Sequence, residues 1–329
     1  MGKLVITSNN NVVGELKIYS KSNTDMISGK LYTDADASTS LSIHQYGDHI
    51  AWDTYLAISD TSGLGATLTI RYYYPNGTIA VTEIQTVPPN GMYQDVPMSD
   101  GKNGRPKLGR VEITSNHLVN GEYRLYNLGI GGITSNKLYT STDKRTSFTV
   151  PQYGDHIGWD TYMAISDASG LGATLTIRYY YPNGTLRVKE TQTVPPNGVY
   201  QDVPMSDGKN GRPTTGKLEI TSDNIIFGEM RIYSLSGRGL MSESLFIQPD
   251  ISNTVIIPYY GNNTNFGTYV NLADVSGFNT PVRVDYHYLN GTLAKTENPV
   301  IPANGLLGWV ASDGTSGRPI EGNIVISTT

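Results

Sequence analysis

Residues 46–106 of this chain occur twice. The stretch from Tyr46 to Pro106 returns at Tyr153 to Pro213 with only eight substitutions, at an offset of 153 − 46 = 107 residues. A third, more diverged copy begins at Tyr260, where NFGTYVNLADVSG, HYLNGTLAKT, IPANG and SDGTSGRP follow in the same order. Such a chain folds as a tandem array of one module, so any local reading must hold in three places. The repeat has the size of an ordinary domain. Each copy can therefore bury its own core, unlike a thin solenoid repeat that needs its neighbours.

Within a copy the apolar pattern has the period of a strand. Along Ala66–Tyr74, positions Leu68, Ile70, Tyr72 and Tyr74 correspond to Val282, Val284, Tyr286 and Tyr288 in the third copy. That face stays apolar or aromatic and is predicted to be core. Thr69, Arg71 and Tyr73 become Arg283, Asp285 and His287, which predicts a water-facing side. Asn76-Gly77, Asn183-Gly184 and Asn290-Gly291 predict tight hairpin turns. PPNG at 88–91 and 195–198, with PANG at 302–305, predicts the next turn, and the SDGxxGRP loops at 99–106, 206–213 and 312–319 lead into the following strand.

Residues 3–20 read as two strands joined by a polar turn at 8–11, with equivalents at 110–127 and 217–234. Gly14, Gly121 and Gly228 sit inside the second of these, which predicts a bulge or a close backbone approach. The connectors 21–45, 128–152 and 235–259 are where the copies differ most. With 36 Gly, 17 Pro, and 23 Tyr against 5 Phe, the composition suits a many-stranded, half-exposed sheet protein, and no segment has sustained helical periodicity. The expected fold is all-β: three tandem antiparallel β-sandwich modules, immunoglobulin-like or jelly-roll-like. Residues 1–21 form a strand pair, and the modules span 22–128, 129–235 and 236–329, the last diverged and short of a final strand.

Several function classes drop out. A net charge of −5 argues against nucleic acid or an anionic membrane as partner, and no run of about eighteen apolar residues could insert into a bilayer. The absence of cysteine excludes disulfides, cysteine-ligated metals and thiol catalysis. The start, MGKLVITSNN, reads as strand and not as a signal peptide, so the chain is either cytosolic or secreted with its signal removed. The sequence has no GxSxG, phosphate loop or HExxH, and no histidine recurs in every copy. That pattern points to no enzyme and no cofactor.

The recurrent polar–aromatic clusters are Asp48, His49, Trp52 and Asp53, and their counterparts Asp155, His156, Trp159 and Asp160. An exposed Trp beside carboxylate and imidazole can hold a glycan by stacking and hydrogen bonding. The same Trp also suits a core anchor at a strand start, with Asp and His decorating a loop. The third copy keeps an aromatic, Phe266, but loses the rest. Asp100–Arg105 resembles a calcium loop but offers a single carboxylate, so an Asp-held turn with the Arg capping carbonyls is expected and no metal. Asn76, Asn183, Asn262 and Asn290 head glycosylation sequons, three of them within the hairpin turns.

Taken together, aromatic-Asp-Thr-Tyr, the ATLTIRYYY strand, the Asn-Gly turn, TVPPNG, and a VEITS strand followed by a Gly-Glu strand resemble a bacterial and archaeal β-sandwich repeat. Such repeats occur in tandem in secreted and surface proteins, and a related sandwich is similar to the sensory rhodopsin transducer. The resemblance covers all three copies and implies an extracellular or cell-surface, non-enzymatic role, with self-association or surface components as partners.

The strand pattern also has unmatched ends. Val12, Val13, Leu16 and Ile18 repeat a strand that the third copy lacks after Ile324 and Ile326. These residues are candidates for completing the third module within the chain or in a neighbour by strand addition. Alternatively each module begins at its VITS strand and the terminal one is an extra edge. The expected function is a repeat spacer or filament subunit, and a glycan-binding adhesin is the alternative.

Overall fold

The computed structural model describes residues 4–9, 15–19, 26–30, 32–47, 52–127, 133–154, 158–234, 240–244, 251–261 and 267–328. Among them there is no α-helix, only short 3-10 turns between strands. The protein is all-β, with antiparallel sheets grouped into three modules.

Two strands, β1 (Glu15–Tyr19) and β2 (Met26–Lys30), pair only with each other among the described residues. The first module follows with β3 (Ser38–Gly47), β4 (Trp52–Asp60), β5 (Ala66–Tyr73), β6 (Ile79–Val87), β7 (Met92–Asp95), β8 (Leu108–Asn127) and β9 (Ile133–Lys137). These make one seven-stranded sheet ordered β6-β5-β8-β4-β7, with β3 and β9 also on β8. The expected hairpin at 110–127 is instead a single strand of 20 residues. Its first part pairs with β5 and β3, and its second, 119–127, with β4 and β9. The stretch 115–118, polar apart from an exposed Leu118, is where β8 changes partners, marked by a register shift on β3 between Ser38 and Ser40. A polar stretch looks the same in sequence whether the chain reverses or only bends; here it curls the sheet into a half-barrel. Gly121 fits the predicted close approach, since an added methyl would lie 2.6 Å from the Leu138 side chain and 2.8 Å from Ala57 O.

The second module repeats this with β10 (Arg145–Gly154), β11 (Trp159–Asp167), β12 (Ala173–Tyr180), β13 (Leu186–Val194), β14 (Val199–Asp202), β15 (Thr215–Ser234) and β16 (Leu240–Ser244), in the order β13-β12-β15-β11-β14. The third comprises β17 (Thr254–Gly261), β18 (Tyr269–Ala273), β19 (Thr280–His287), β20 (Leu293–Glu297), β21 (Val300–Ile301), β22 (Leu306–Val310) and β23 (Glu321–Thr328). Here β23 holds the place of only the first part of β8, between β17 and β19, and β18 pairs with β22 alone among the described residues. Ile324 and Ile326 are buried in this module's core.

Cores sit where the alternation puts them. Leu68, Ile70 and Tyr72 are fully buried, as are Leu175, Ile177 and Tyr179. The buried face ends there, because Tyr74 is 45% exposed. On the other face Tyr73 departs from expectation and is buried: its hydroxyl donates to Glu112 at 2.7 Å and the Arg110 guanidinium lies 5.4 Å from its ring centroid. Each core has the same aromatic anchor. Tyr46, Tyr153 and Tyr260 are buried, donate to the carbonyls of Pro106, Pro213 and Pro319 at 2.9, 3.0 and 2.9 Å, and meet Tyr72, Tyr179 and Tyr286 edge-on. This explains why the Gly-Arg-Pro loop recurs: it supplies the acceptor for a buried phenol.

Candidate functional site

Asp48, His49, Asp155 and His156 lie outside the described residues. The rest of each cluster opens a long strand, β4 or β11, whose first residues face the loop at 97–101 or 204–208. Trp52 is 6% exposed and belongs to the first core; Trp159 is half-buried. Asp53 is buried and accepts from the Ser99 hydroxyl, from the Ser99 amide at 3.3 Å and from the Thr54 amide at 2.6 Å. Asp160 does the same with Ser206 and Thr161. Both carboxylates thus pin a strand start to a loop, with little capacity left for a ligand. In the third module Gly267 replaces the Asp, and Ser312 accepts the Thr268 amide directly at 2.8 Å. The pinning survives without the carboxylate, so its role is mechanical.

The SDGxxGRP loop has the expected Asp-held turn: Asp100, Asp207 and Asp313 each accept the amide two residues on, at 2.9 Å. The arginine does something the sequence did not announce. Arg105 is buried and binds Glu83 at 2.5 Å and Asp95 at 2.6 Å, and Arg212 binds Glu190 and Asp202 at the same distances. Burial alone would raise Glu83 and Glu190, but hydrogen bonds from the arginines hold both below the usual carboxylate range. In the third module Trp309 stands at the place of Asp95; Arg318 keeps Glu297 at 2.8 Å and caps Val310 O at 3.2 Å. In the first two modules these are buried structural triads in which both carboxylates meet the arginine, and burial still holds Asp202 above its ordinary value.

A second buried carboxylate recurs in all three modules. Asp60 accepts the amides of Ser62, Gly65 and Asn90, Asp167 accepts those of Ser169, Gly172 and Asn197, and Asp274 accepts those of Ser276 and Asn304 with Gly277 as the third donor. Burial pushes each carboxyl up, yet the donated hydrogen bonds outweigh it and leave all three below the ordinary value. Among the described residues no group of three or more His, Asp and Glu is placed to hold a metal. An open groove of about 300 Å³ beside Gly65 and Pro88 includes His117, whose Nδ1 is bonded to Gly65 O at 2.7 Å.

The feature built with most repetition is where one module meets the next. The tip of the β5–β6 hairpin, Pro75–Gly77, sits in the PPNG turn of module two. The Val199 amide donates to Pro75 O at 2.9 Å, and a methyl added to Gly77 would lie 1.8 Å from Pro196 O. The next junction repeats this: the Leu306 amide donates to Pro182 O at 2.9 Å, and Gly184 approaches Ala303 O as closely. A buried cation accompanies each tip. Arg110 donates to Asn197 O at 3.1 Å and Lys217 to Asp274 O at 2.5 Å. The first junction adds a buried aromatic contact, with His44 and Tyr139 against Phe227. There His44 Nδ1 bonds the Ser166 hydroxyl at 3.0 Å and Arg231 donates to Gln45 O at 2.9 Å. Sequence reasoning saw these hairpins only as turns.

No protein-family model matches the sequence, and no curated protein matches it. Among solved structures, dimeric latent PorU from Porphyromonas gingivalis is similar at 11% identity and a TM-score of 0.19, too low to carry an argument. The alignment covers 80% of this chain and only 28% of that one.

Proposed function

We propose that this chain is a non-enzymatic structural protein, a stiff repeat spacer of the extracellular or cell-surface β-sandwich kind. The observation that carries the reading is the junction. The same tip-in-turn contact, with an amide-to-carbonyl bond of 2.9 Å, joins module one to two and two to three. Flexibly tethered binding modules need no such contact, whereas a rod that holds its length does. Saturation of the recurrent carboxylates by structural partners supports a mechanical role over a chemical one. Small-angle scattering of the purified chain tests this. A maximum dimension and cross-section matching the docked array are expected; a profile that fits only freely jointed modules would overturn it.

A further inference from the structure

Among the described residues, the first module's PPNG turn has no occupant and the third module's hairpin tip has no seat. Gly291 has the same left-handed φ as Gly77 and Gly184, +83° against +87° and +84°, but a methyl added there meets nothing within 4 Å. Leu289 is 63% exposed. The Pro88–Gly91 turn matches the two turns that are filled, and Met92 stands where Val199 and Leu306 donate to a tip.

The same ends carry a second complementary pair. β4 and β11 lie between two strands, the second being the latter part of β8 or β15, while β18 has only β22 among the described residues. The core beneath is correspondingly open. Val255 is 39% exposed where Leu41 and Phe148 are 2% and 3%; on β18, Val270 is buried and Tyr269 is 38% exposed, where Tyr55 is half-buried and Tyr162 is 1% exposed. β1 is the sequence equivalent of Glu122–Tyr126, the part of β8 that covers β4, and β2 is the equivalent of β9, already paired to it in the same register.

We propose that a second copy of this chain fills both vacancies at once: its β1 adds to β18, and its 88–92 turn receives the Leu289–Gly291 tip. This rests on the structural-array reading and names its partner. By equivalence with β4 and β8, Glu15 pairs with Asn271, Leu16 with Val270 and Lys17 with Tyr269. The two contacts belong to one junction, because within the chain the same module that contributes the tip also contains the strand pair at the start of its neighbour. The contact is head-to-tail, so it propagates into filaments, or rings where the rotation closes, instead of stopping at a two-fold dimer.

Mass measurement on the full chain and two variants tests this. Gly291→Ala puts a methyl where the neighbour's Pro89 carbonyl would lie. Leu16→Asp puts a charge at the position whose equivalents, Tyr123 and Met230, are buried. The unaltered chain is expected to grow in mass with concentration, and each variant alone to stay monomeric, with association weakened at least about tenfold. A mixture of the two variants has one competent end from each and is expected to stop at a dimer. A monomeric unaltered chain, assembly that survives both changes, or a mixture that stays monomeric or forms larger species would each overturn the proposal. Scattering from the monomeric variants separates the two readings, since a stiff array that does not assemble leaves the spacer role standing.

Discussion

Gly77→Ala and Gly291→Ala make a matched pair that isolates the energy of module docking. Both glycines end an Asn-Gly hairpin at nearly the same positive φ, so a methyl costs each about 1–2 kcal/mol of left-handed strain. At Gly291 the account stops there, because the methyl enters open space. At Gly77 it would lie 1.8 Å from Pro196 O and 3.0 Å from the Gly198 amide, both backbone atoms in a rigid Pro-rich turn. The turn must withdraw by more than an ångström, which breaks the Val199 bond to Pro75 O and strains that of Arg110 to Asn197 O. Leaving a buried amide unpaired costs about 1–3 kcal/mol. Gly77→Ala is therefore expected to lose about 2–5 kcal/mol and Gly291→Ala about 1–2. Urea denaturation at concentrations low enough to keep the chain monomeric measures both, and Gly184→Ala should match Gly77→Ala. Scattering should also show the Gly77→Ala chain bending at its first junction. Equal losses at Gly77 and Gly291 would refute the docking argument and reduce the tip to an ordinary turn.

Three further outcomes follow from buried charge. Arg105→Met leaves Glu83 and Asp95 facing each other without a cation and should cost about 3–5 kcal/mol in thermal unfolding, whereas Arg318→Met, with one close carboxylate and more solvent, should cost clearly less. Asp60, Asp167 and Asp274 have folded values below the ordinary carboxylate range, so their stabilisation is complete above about pH 4 and is lost as pH falls through the folded values. Asp274→Asn should lower stability at pH 7 and flatten the acid limb of a urea-midpoint profile. His44 is held well below its usual value by burial, then by the charges of Arg110 and Arg231. Its contribution is present above about pH 6.5 and falls below it, by up to about 1.4 kcal/mol per unit, and His44→Leu should remove that slope.

Much of this architecture was legible in the sequence, and the parts that were not share a cause. The buried face Leu68-Ile70-Tyr72 and the Asn-Gly turns depend on local pattern, and a near-identical second copy confirms any such reading. The bend at 115–118 depends on which strands lie beside it: one half of β8 pairs with β5 and the other with β4, and polarity alone does not separate that from a reversal. Tyr73 is buried by Arg110, drawn in by its contact with the following module. The Arg105 triad joins residues 22 and 10 positions away, beyond any local window. One available signal was missed. Exposed loop tips are usually where copies drift, yet Pro-Asn-Gly and Pro-Pro-Asn-Gly are unchanged between the first two copies, while the adjacent strand positions Ile79, Ala80, Thr82 and Ile84 all differ from their counterparts. Tips that hold constant while their flanks vary are in contact with something.

The third module's departures sort by the same logic. Its tip keeps Asn290-Gly291, but Leu289 replaces proline, and Asn323 stands where Arg110 and Lys217 reach into the next module. A buried cation needs fixed partners: Arg110 and Lys217 each have a carboxylate two residues on, Glu112 and Glu219, besides the carbonyl across the junction that the covalent linkage guarantees, and the third module has Val325 in place of that carboxylate. In the proposed junction between molecules the seat would fill only on association, and an arginine there would have to be desolvated each time. An uncharged Asn323 removes that cost together with the charge-assisted bond, so the proposed junction between chains would be more reversible than the two within one. Asn323→Arg should then shift the assembly equilibrium measurably while leaving the stability of the first two modules unchanged, and an effect of the reverse pattern would place Asn323 in the third module's own packing instead.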